Sequence, residues 1–329
     1  MYHEAALEVR DCQSHAVGVA PTLMAAQVTV LLGTYNGERF LDEQLQSIIR
    51  QSYSNWQIIV SDDGSTDSTP ALLKRYQQQL GEKRLRIIEG PQKGFAANFM
   101  ALADALEIQT EYFAFSDQDD IWHPEHLERA LRWMRLIDGN IPALYCGRTR
   151  LVQDSGQPFG ISPLFCRPPS FSNALVQSLA GGNTMVFNRS AQQLLAQTSE
   201  LPIVSHDWWL YMLVSGAQGH IHYSEEPTVD YRQHGGNLIG ANSSIKDRIY
   251  RIRRMFAGHF QDWNDINLAA LSQCQELLSE DNRKILHTFT SARRGGVLTR
   301  LHGMVSAGIY RQTTPGNLAL ALAAILGKI

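Results

Sequence analysis

The sequence predicts an α/β fold with a mostly parallel, Rossmann-like sheet flanked by helices, on three observations. Short, β-branched apolar runs alternate with segments of helical periodicity through the first half of the chain, the pattern of successive βαβ units. The first of these runs is unbroken rather than alternating, as strands covered on both faces are. Loops rich in Asp, Asn and Gly follow the runs, and right-handed crossovers bring such loops to one sheet edge, where open α/β sheets bind ligands.

The elements follow in order. Residues 28–32 form the first strand, broken at Gly33-Thr34-Tyr35-Asn36-Gly37-Glu38; Phe40, Leu41, Leu45, Ile48 and Ile49 then recur at helical spacing. A second strand at 56–60 ends in Ser61-Asp62-Asp63-Gly64-Ser65-Thr66-Asp67, ahead of a helix over 68–80. A third strand at 85–88, a loop at 89–94 and a helix over 95–108 come next. The fourth strand, 112–115, runs into Ser116-Asp117-Gln118-Asp119-Asp120-Ile121-Trp122, with Pro124 read as the first position of the following helix.

From Pro142 the pattern loosens. Residues 143–165 read as strands and loops crossing the acidic stretch, 185–187 as a strand after Gly181-Gly182-Asn183-Thr184, and 189–197 as a helix. His206-Asp207-Trp208-Trp209 leads into a helix through Val214, and strands near 219–223 and 227–232 end at Arg232-Gln233-His234. Beyond Ser243 only helices are expected, over 245–256, 260–278, 283–289 and 317–326. The chain thus divides into a loosely ordered extension (1–26), an α/β domain (27–240) and a helical region (241–329).

At 329 residues and 44% hydrophobic content the chain can bury a substantial core, and a net charge of −3 argues against a general nucleic-acid binder. Cys12, Cys146, Cys166 and Cys274 are far apart and lack metal-ligand spacing, which fits a reduced, cytoplasmic protein. No apolar run approaches the roughly 20 residues of a membrane span. Glu4, Glu8, Arg10, Asp11 and His15 interrupt the start of the chain as they would not interrupt a secretory signal.

The chemistry concentrates in a few clusters. Asp117, Asp119 and Asp120 at a strand end repel one another and need a counter-charge, which a hard divalent cation with a substrate's phosphates would supply. The plainer reading makes Asp120 a cap of the next helix and leaves the other two in water. Asp63 could accept from a nucleobase N–H or a ribose hydroxyl, or serve as a capping device alone. Tyr35 could stack on a base, and Glu38 could hold its own loop or a ribose. Lys93 and Asn98 near a helix start suit an anion. Asp207, beside two tryptophans, is either a general base or a helix cap. Arg232 and His234 at a strand end could meet a diphosphate and a metal. His123 and His126 lack further ligands nearby and are read as structural.

Taken together, these residues resemble the family 2 glycosyltransferases, inverting nucleotide-sugar enzymes with a GT-A fold. The carrying motifs are residues 28–37, Gln51-Ser52-Tyr53, residues 58–67, Asp117-Gln118-Asp119-Asp120 and His206-Asp207, spanning about 28–237. Ser-Asp-Gln-Asp-Asp-Ile-Trp, with Lys-Gly-Phe-Ala-Ala-Asn-Phe upstream, looks like the rhamnosyltransferase branch of surface-polysaccharide assembly. The resemblance implies that Thr34, Tyr35 and Asp63 meet the nucleotide and that Asp117 meets the ribose. It makes Asp119 the ligand of a Mg²⁺ or Mn²⁺ ion, with His234 as a second candidate, and Asp207 the base. Ala97 stands where many relatives carry Arg, which turns attention to Lys93 or Arg232 for the diphosphate.

The implied partners are a nucleotide-diphosphate sugar and a glycan or lipid-linked acceptor. Residues 246–254, with five basic side chains against Asp247, suit either the inner membrane surface or a solvated face packed on the catalytic domain. Two other functions compete with this one. A sugar-nucleotide nucleotidyltransferase would carry a Gly-rich, basic loop after the first strand, which 33–38 lacks, and a silent binding scaffold would have no use for Asp119 with Asp207.

Overall fold

The computed structural model describes residues 26–104, 109–234 and 259–329. Its first half is four βα repeats: β1 (Val28–Thr34), α1 (Leu41–Ile49), β2 (Trp56–Asp62), α2 (Thr69–Leu80), β3 (Leu85–Glu89), α3 (Phe95–Asp104) and β4 (Tyr112–Ser116), then β5 (Ile121–Trp122) and α4 (His126–Met134). Strands β6 (Ala143–Gly147), β7 (Arg150–Gln153) and β8 (Pro158–Ile161) follow, with α5 (Phe171–Ala174), β9 (Val186–Asn188), α6 (Arg189–Ala196), α7 (His206–Gly216), β10 (His220–Ser224) and β11 (Val229–Gln233). Helices α8 (His259–Gln273), α9 (Glu280–Arg293), α10 (Val297–Ser306) and α11 (Thr314–Ile325) complete the described chain.

The main sheet has seven strands in the order β3-β2-β1-β4-β9-β6-β10. β1 to β4 are parallel, as expected, while β9 lies antiparallel between β4 and β6. Thr34 is opposite Asp62 and Asp62 opposite Glu89, so the carboxyl ends of the first three strands finish level. The loops that follow therefore share one edge. A second sheet, β5-β11-β7-β8, stands beside that edge and carries β11 to the acidic loop.

Alternate strand residues feed two apolar layers, as the two-residue period requires. Val30, Leu32, Ile58, Val60 and Ala114 face α1, α2 and α4. Leu31, Ile59, Phe113, Phe115 and Phe187 face α3, α6 and α7. Leu271, Phe289, Met304, Leu320 and Ala323 from the last four helices join this second layer. Fully burying each large side chain contributes about 1.5–3 kcal/mol, so these helices are held firmly on the sheet. Asn282 reinforces the junction by donating to the carbonyls of Ser215 and Gly216 at 3.0 and 2.9 Å.

Two local expectations change. Helix α4 starts at His126 rather than at Pro124, because Ser52 N–H takes the Pro124 carbonyl at 2.8 Å and His123 is tied to Thr228 through its backbone. Helix α10 was not foreseen: its N-cap is Gly296, which has no capping side chain. The expected helix over 245–256 and the boundary near 240 lie outside the described residues.

Candidate active site

Three carboxylates leave β4 together and then diverge. Asp117 is pushed up to about 8, first by burial and then by the negative charges of Asp119 and Asp207, which places the three in one electrostatic neighbourhood. Oδ2 of Asp119 lies 2.8 Å from Nε2 of His234 at the end of β11. Asp120 turns inward and is fully buried. Its carboxylate accepts from the Arg232 backbone N–H at 3.1 Å and from the Asn183 amide, tying the acidic loop to β11 and to the turn at Gly182–Thr184. Burial, then Asp119 and Asp117, hold its carboxyl well above the usual range. The reading of Asp120 as a helix cap is thereby corrected, since Glu125 occupies the N-cap of α4 and no side chain caps it.

Gln118, between the acids, has a role the sequence reading missed. Its amide accepts from the backbone N–H of Tyr35 and donates to the Tyr35 carbonyl, both at 2.9 Å, the two-bond pairing of a neighbouring strand. Gly37 permits this approach: a Cβ there would fall 2.2 Å from the Gln118 Oε1. The Tyr35 side chain is left 57% exposed on the open side, available for stacking.

The loops after β1 and β2 are laced together. Asn36 donates from its backbone to Ser65 Oγ and accepts from Thr66 N–H, both at 2.8 Å, while Gly37 N–H donates to Thr69 Oγ1 at 2.8 Å. Glu38 belongs to this lacing, its carboxylate accepting from Ser68 N–H at 2.9 Å; of its two readings, loop support is the one realised. Thr34 Oγ1 donates to Asp62 Oδ1 at 2.8 Å.

Asp63 accepts from the backbone N–H groups of Gln92 (2.6 Å) and Gly94 (2.9 Å), so it shapes the loop that bears the exposed Lys93. Each oxygen keeps a second lone pair for a ligand N–H. Asn98 does not face an anion. It is buried, donates to the Ser61 carbonyl at 3.0 Å and accepts from the Ser61 hydroxyl, bracing α3 on β2.

Arg232 also departs from expectation. Its guanidinium is buried, donates to the Asp119 carbonyl at 3.0 Å and the Asp154 carbonyl at 2.6 Å, pairs with Glu43, and lies over the Phe40 ring. It fixes the backbone of the metal-ligand candidate rather than turning to the open edge.

Asp207 occupies the first turn of α7 and accepts from the N–H of Trp208 at 2.7 Å. The two tryptophans turn into the core, where their indole N–H groups donate to the carbonyl of Ala174 and the hydroxyl of Thr198. His206 packs face to face on Phe99 at 3.9 Å and edge-on to Phe115 at 4.6 Å. Burial brings its imidazole down to about 4, against an opposing pull from Asp207, so it is neutral at pH 7. Gly182 closes over this pair: a Cβ there would lie 2.4 Å from His206 Nε2 and 3.4 Å from the Asp207 Cβ.

The donor set fits a divalent cation. The carboxylate and imidazole of Asp119 and His234 are 2.8 Å apart, the spacing of adjacent ligands on an octahedral ion with bonds of about 2.0–2.1 Å. Among the described residues no group of three or more His, Cys, Asp or Glu side chains is arranged to hold a metal ion, so the protein would supply two ligands at this point. Such a site leaves positions for water and phosphate oxygens.

Residues 29–191 match the family described as Glycosyl transferase family 2. The chain is 29% identical over 233 residues to the dTDP-rhamnosyl transferase RfbG of Shigella flexneri, covering 67% of this chain and 78% of that one. It is also 29% identical over 191 residues to the UDP-Glc:alpha-D-GlcNAc-diphosphoundecaprenol beta-1,3-glucosyltransferase WfgD of Escherichia coli, covering 57% and 69% of the two chains. Among solved structures it is similar to S. aureus TarS in complex with UDP-GlcNAc, at a TM-score of 0.47 and 14% identity, over 86% of this chain and 93% of that chain. Through the match over 29–191, the α/β sheet beneath it and the relatives that share it, the chain is a transferase belonging to glycosyltransferase family 2.

Proposed function

We propose that the chain is an inverting, metal-dependent glycosyltransferase that moves a sugar, rhamnose first among the candidates, from a nucleotide diphosphate to a hydroxyl of a lipid-linked glycan in surface-polysaccharide synthesis. The observation that carries this reading is the convergence of Asp117, Asp119, Asp207 and His234 at one sheet edge. The sugar is argued from the rhamnosyl relative and the acceptor from the relative that acts on a diphosphoundecaprenol-linked sugar.

In this reading the exposed Tyr35 ring stacks on the base, Asp63 accepts from its N–H, and Asp117 accepts from the ribose. Lys93 is the exposed cation of the β3–α3 loop and takes the diphosphate. Asp119 and His234 hold Mg²⁺ or Mn²⁺, which when bound offsets the charge of the leaving diphosphate. Asp207 takes the proton of the acceptor hydroxyl as that oxygen attacks the anomeric carbon from the face opposite the diphosphate. Asp207 enters from α7, a different element from the one that supplies Asp119, and a single displacement needs base and leaving group on opposite sides of the sugar. A lipid-linked acceptor would put the reaction at a membrane surface, on the cytoplasmic side in this reading.

The test is a thermal-shift panel of nucleotide sugars with and without Mn²⁺. Stabilisation by one nucleotide class that disappears with chelator, together with nucleotide release on adding a lipid-linked acceptor, is expected. Binding indifferent to chelator and to Asp119→Asn would overturn the metal assignment.

A further inference from the structure

We propose that the α10–α11 hairpin is a docking surface for an anionic lipid bilayer. Three observations carry this. First, α11 exposes Leu318, Leu322, Ile325 and Leu326, positions i, i+4, i+7 and i+8 of one helix face, while Leu320, Ala323 and Ala324 fill the core behind them. Second, α10 presents Leu298 and Val305, 83% and 81% exposed, together with Val297. Arg300 joins the two helices by donating to the carbonyls of Ala324 (2.6 Å) and Ile325 (3.2 Å) from α11 and of Gly295 (2.7 Å) before α10. The start of α10, with Val297 and Leu298, is thus fixed against the end of α11, with Ile325 and Leu326.

Third, the charge of this part of the chain is one-sided. Residues 244–329 hold twelve Lys and Arg against six Asp and Glu in a chain of net charge −3, and no Asp or Glu follows Asp281. Arg294, exposed immediately before α10, supplies a cation beside the apolar residues. An apolar face bordered by cations, on a stretch free of carboxylates, complements a headgroup layer carrying negative charge. A protein partner could match the leucines but would have no reason to require this depletion of acids.

The helix lies on the bilayer rather than across it. Twelve residues of α11 extend about 18 Å at 1.5 Å per residue, against a hydrocarbon core of about 30 Å. Among the described residues no helix is long and apolar enough to cross. The sites of chemistry and of docking are on separate elements, so the proposal stands whether or not the assignment of Asp207 does.

The experiment is flotation of the full chain with vesicles of phosphatidylcholine alone or with phosphatidylglycerol, at low and high salt. Recovery with the anionic vesicles only, reduced by salt, is expected. Leu322→Glu with Leu326→Glu should cut that recovery roughly tenfold or more while circular dichroism and nucleotide-dependent thermal shift stay unchanged, because both side chains are solvent-facing. Undiminished flotation of that double variant overturns the proposal. So does loss of flotation confined to substitutions at Arg251, Arg253 and Arg254. A solution dimer, seen by light scattering and dispersed by the same two Glu substitutions, would instead assign the face to a second copy and overturn it as well.

Discussion

His234 Nε2 lies 2.8 Å from Asp119 Oδ2, although the two residues are 115 positions apart, and this contact closes the second sheet onto the end of the first. It depends on Arg232, two residues earlier, whose Nε–H holds the Asp119 carbonyl at 3.0 Å. The imidazole adds a nitrogen to an otherwise oxygen-rich set, which Mg²⁺ accepts less readily than Mn²⁺. His234→Ala is therefore expected to weaken Mn²⁺ affinity, measured by calorimetry with nucleotide diphosphate present, by about tenfold or more, with Mg²⁺ affinity changing less. Equal Mn²⁺ affinity in the variant would remove His234 from the metal.

Asp207→Asn keeps the shape of the side chain and its bond from the Trp208 N–H, but cannot take a proton. The turnover number is expected to fall by about 10²–10⁴ while donor dissociation constants stay within error. Steady-state kinetics paired with donor titration separates the two effects. A variant that loses donor binding and retains turnover at saturation would assign Asp207 to the nucleotide.

Gln118 controls where Tyr35 sits, through its two bonds at 2.9 Å to that residue's backbone. Gln118→Ala should release the Tyr35 loop and raise the donor KM by about three- to tenfold, each neutral hydrogen bond being worth about 0.5–1.5 kcal/mol, with a smaller change in kcat. Gly37→Ala should act through the same contact, because its new Cβ meets Gln118. A double-mutant cycle then gives less than the sum of the two effects. Strict additivity would refute the shared path.

The parts of this molecule governed by local pattern were legible in the sequence, and those governed by tertiary partners were not. β1 to β4 and their helices follow from apolar periodicity and turn chemistry, and the structure extends those strands by only a residue or two at most ends. The acidic stretch was also legible as a cluster, because its position at a strand end is set by the same pattern. What each residue does there was not. Asn98 and Arg232 looked like anion ligands because an amide at a helix start and a guanidinium at a strand end offer donors. Ser61 uses up the first, and Glu43, Asp119 and Asp154 the second, all distant in sequence. Gln118 is silent in the sequence because a neutral amide between two acids has no signal of its own until Tyr35 is placed beside it.

Acid sensitivity gives the last test. The folded pKa of His206, about 4, lies below the ordinary 6.5, so between these values the unfolded chain binds a proton that the folded chain excludes. Stability therefore falls as pH drops from about 6.5 toward 4, with a slope approaching about 1.4 kcal/mol per pH unit for this group. His126, brought down to about 3 by burial and then by His123, adds a second contribution of the same sign. Asp117 works the other way: its raised pKa means that stability is lost as pH rises from about 4 to about 8. His206→Phe, with the ring stacked on Phe99 retained, removes one of these groups. Any packing cost of the larger ring is independent of pH. Urea unfolding at pH 4.5, 5.5, 6.5 and 7.5 should then show the variant gaining on the parent at each step below 6.5 and running parallel above it. Parallel curves throughout would mean that His206 is protonated in the folded protein, and that its packing against Phe99 and Phe115 does not exclude water as described.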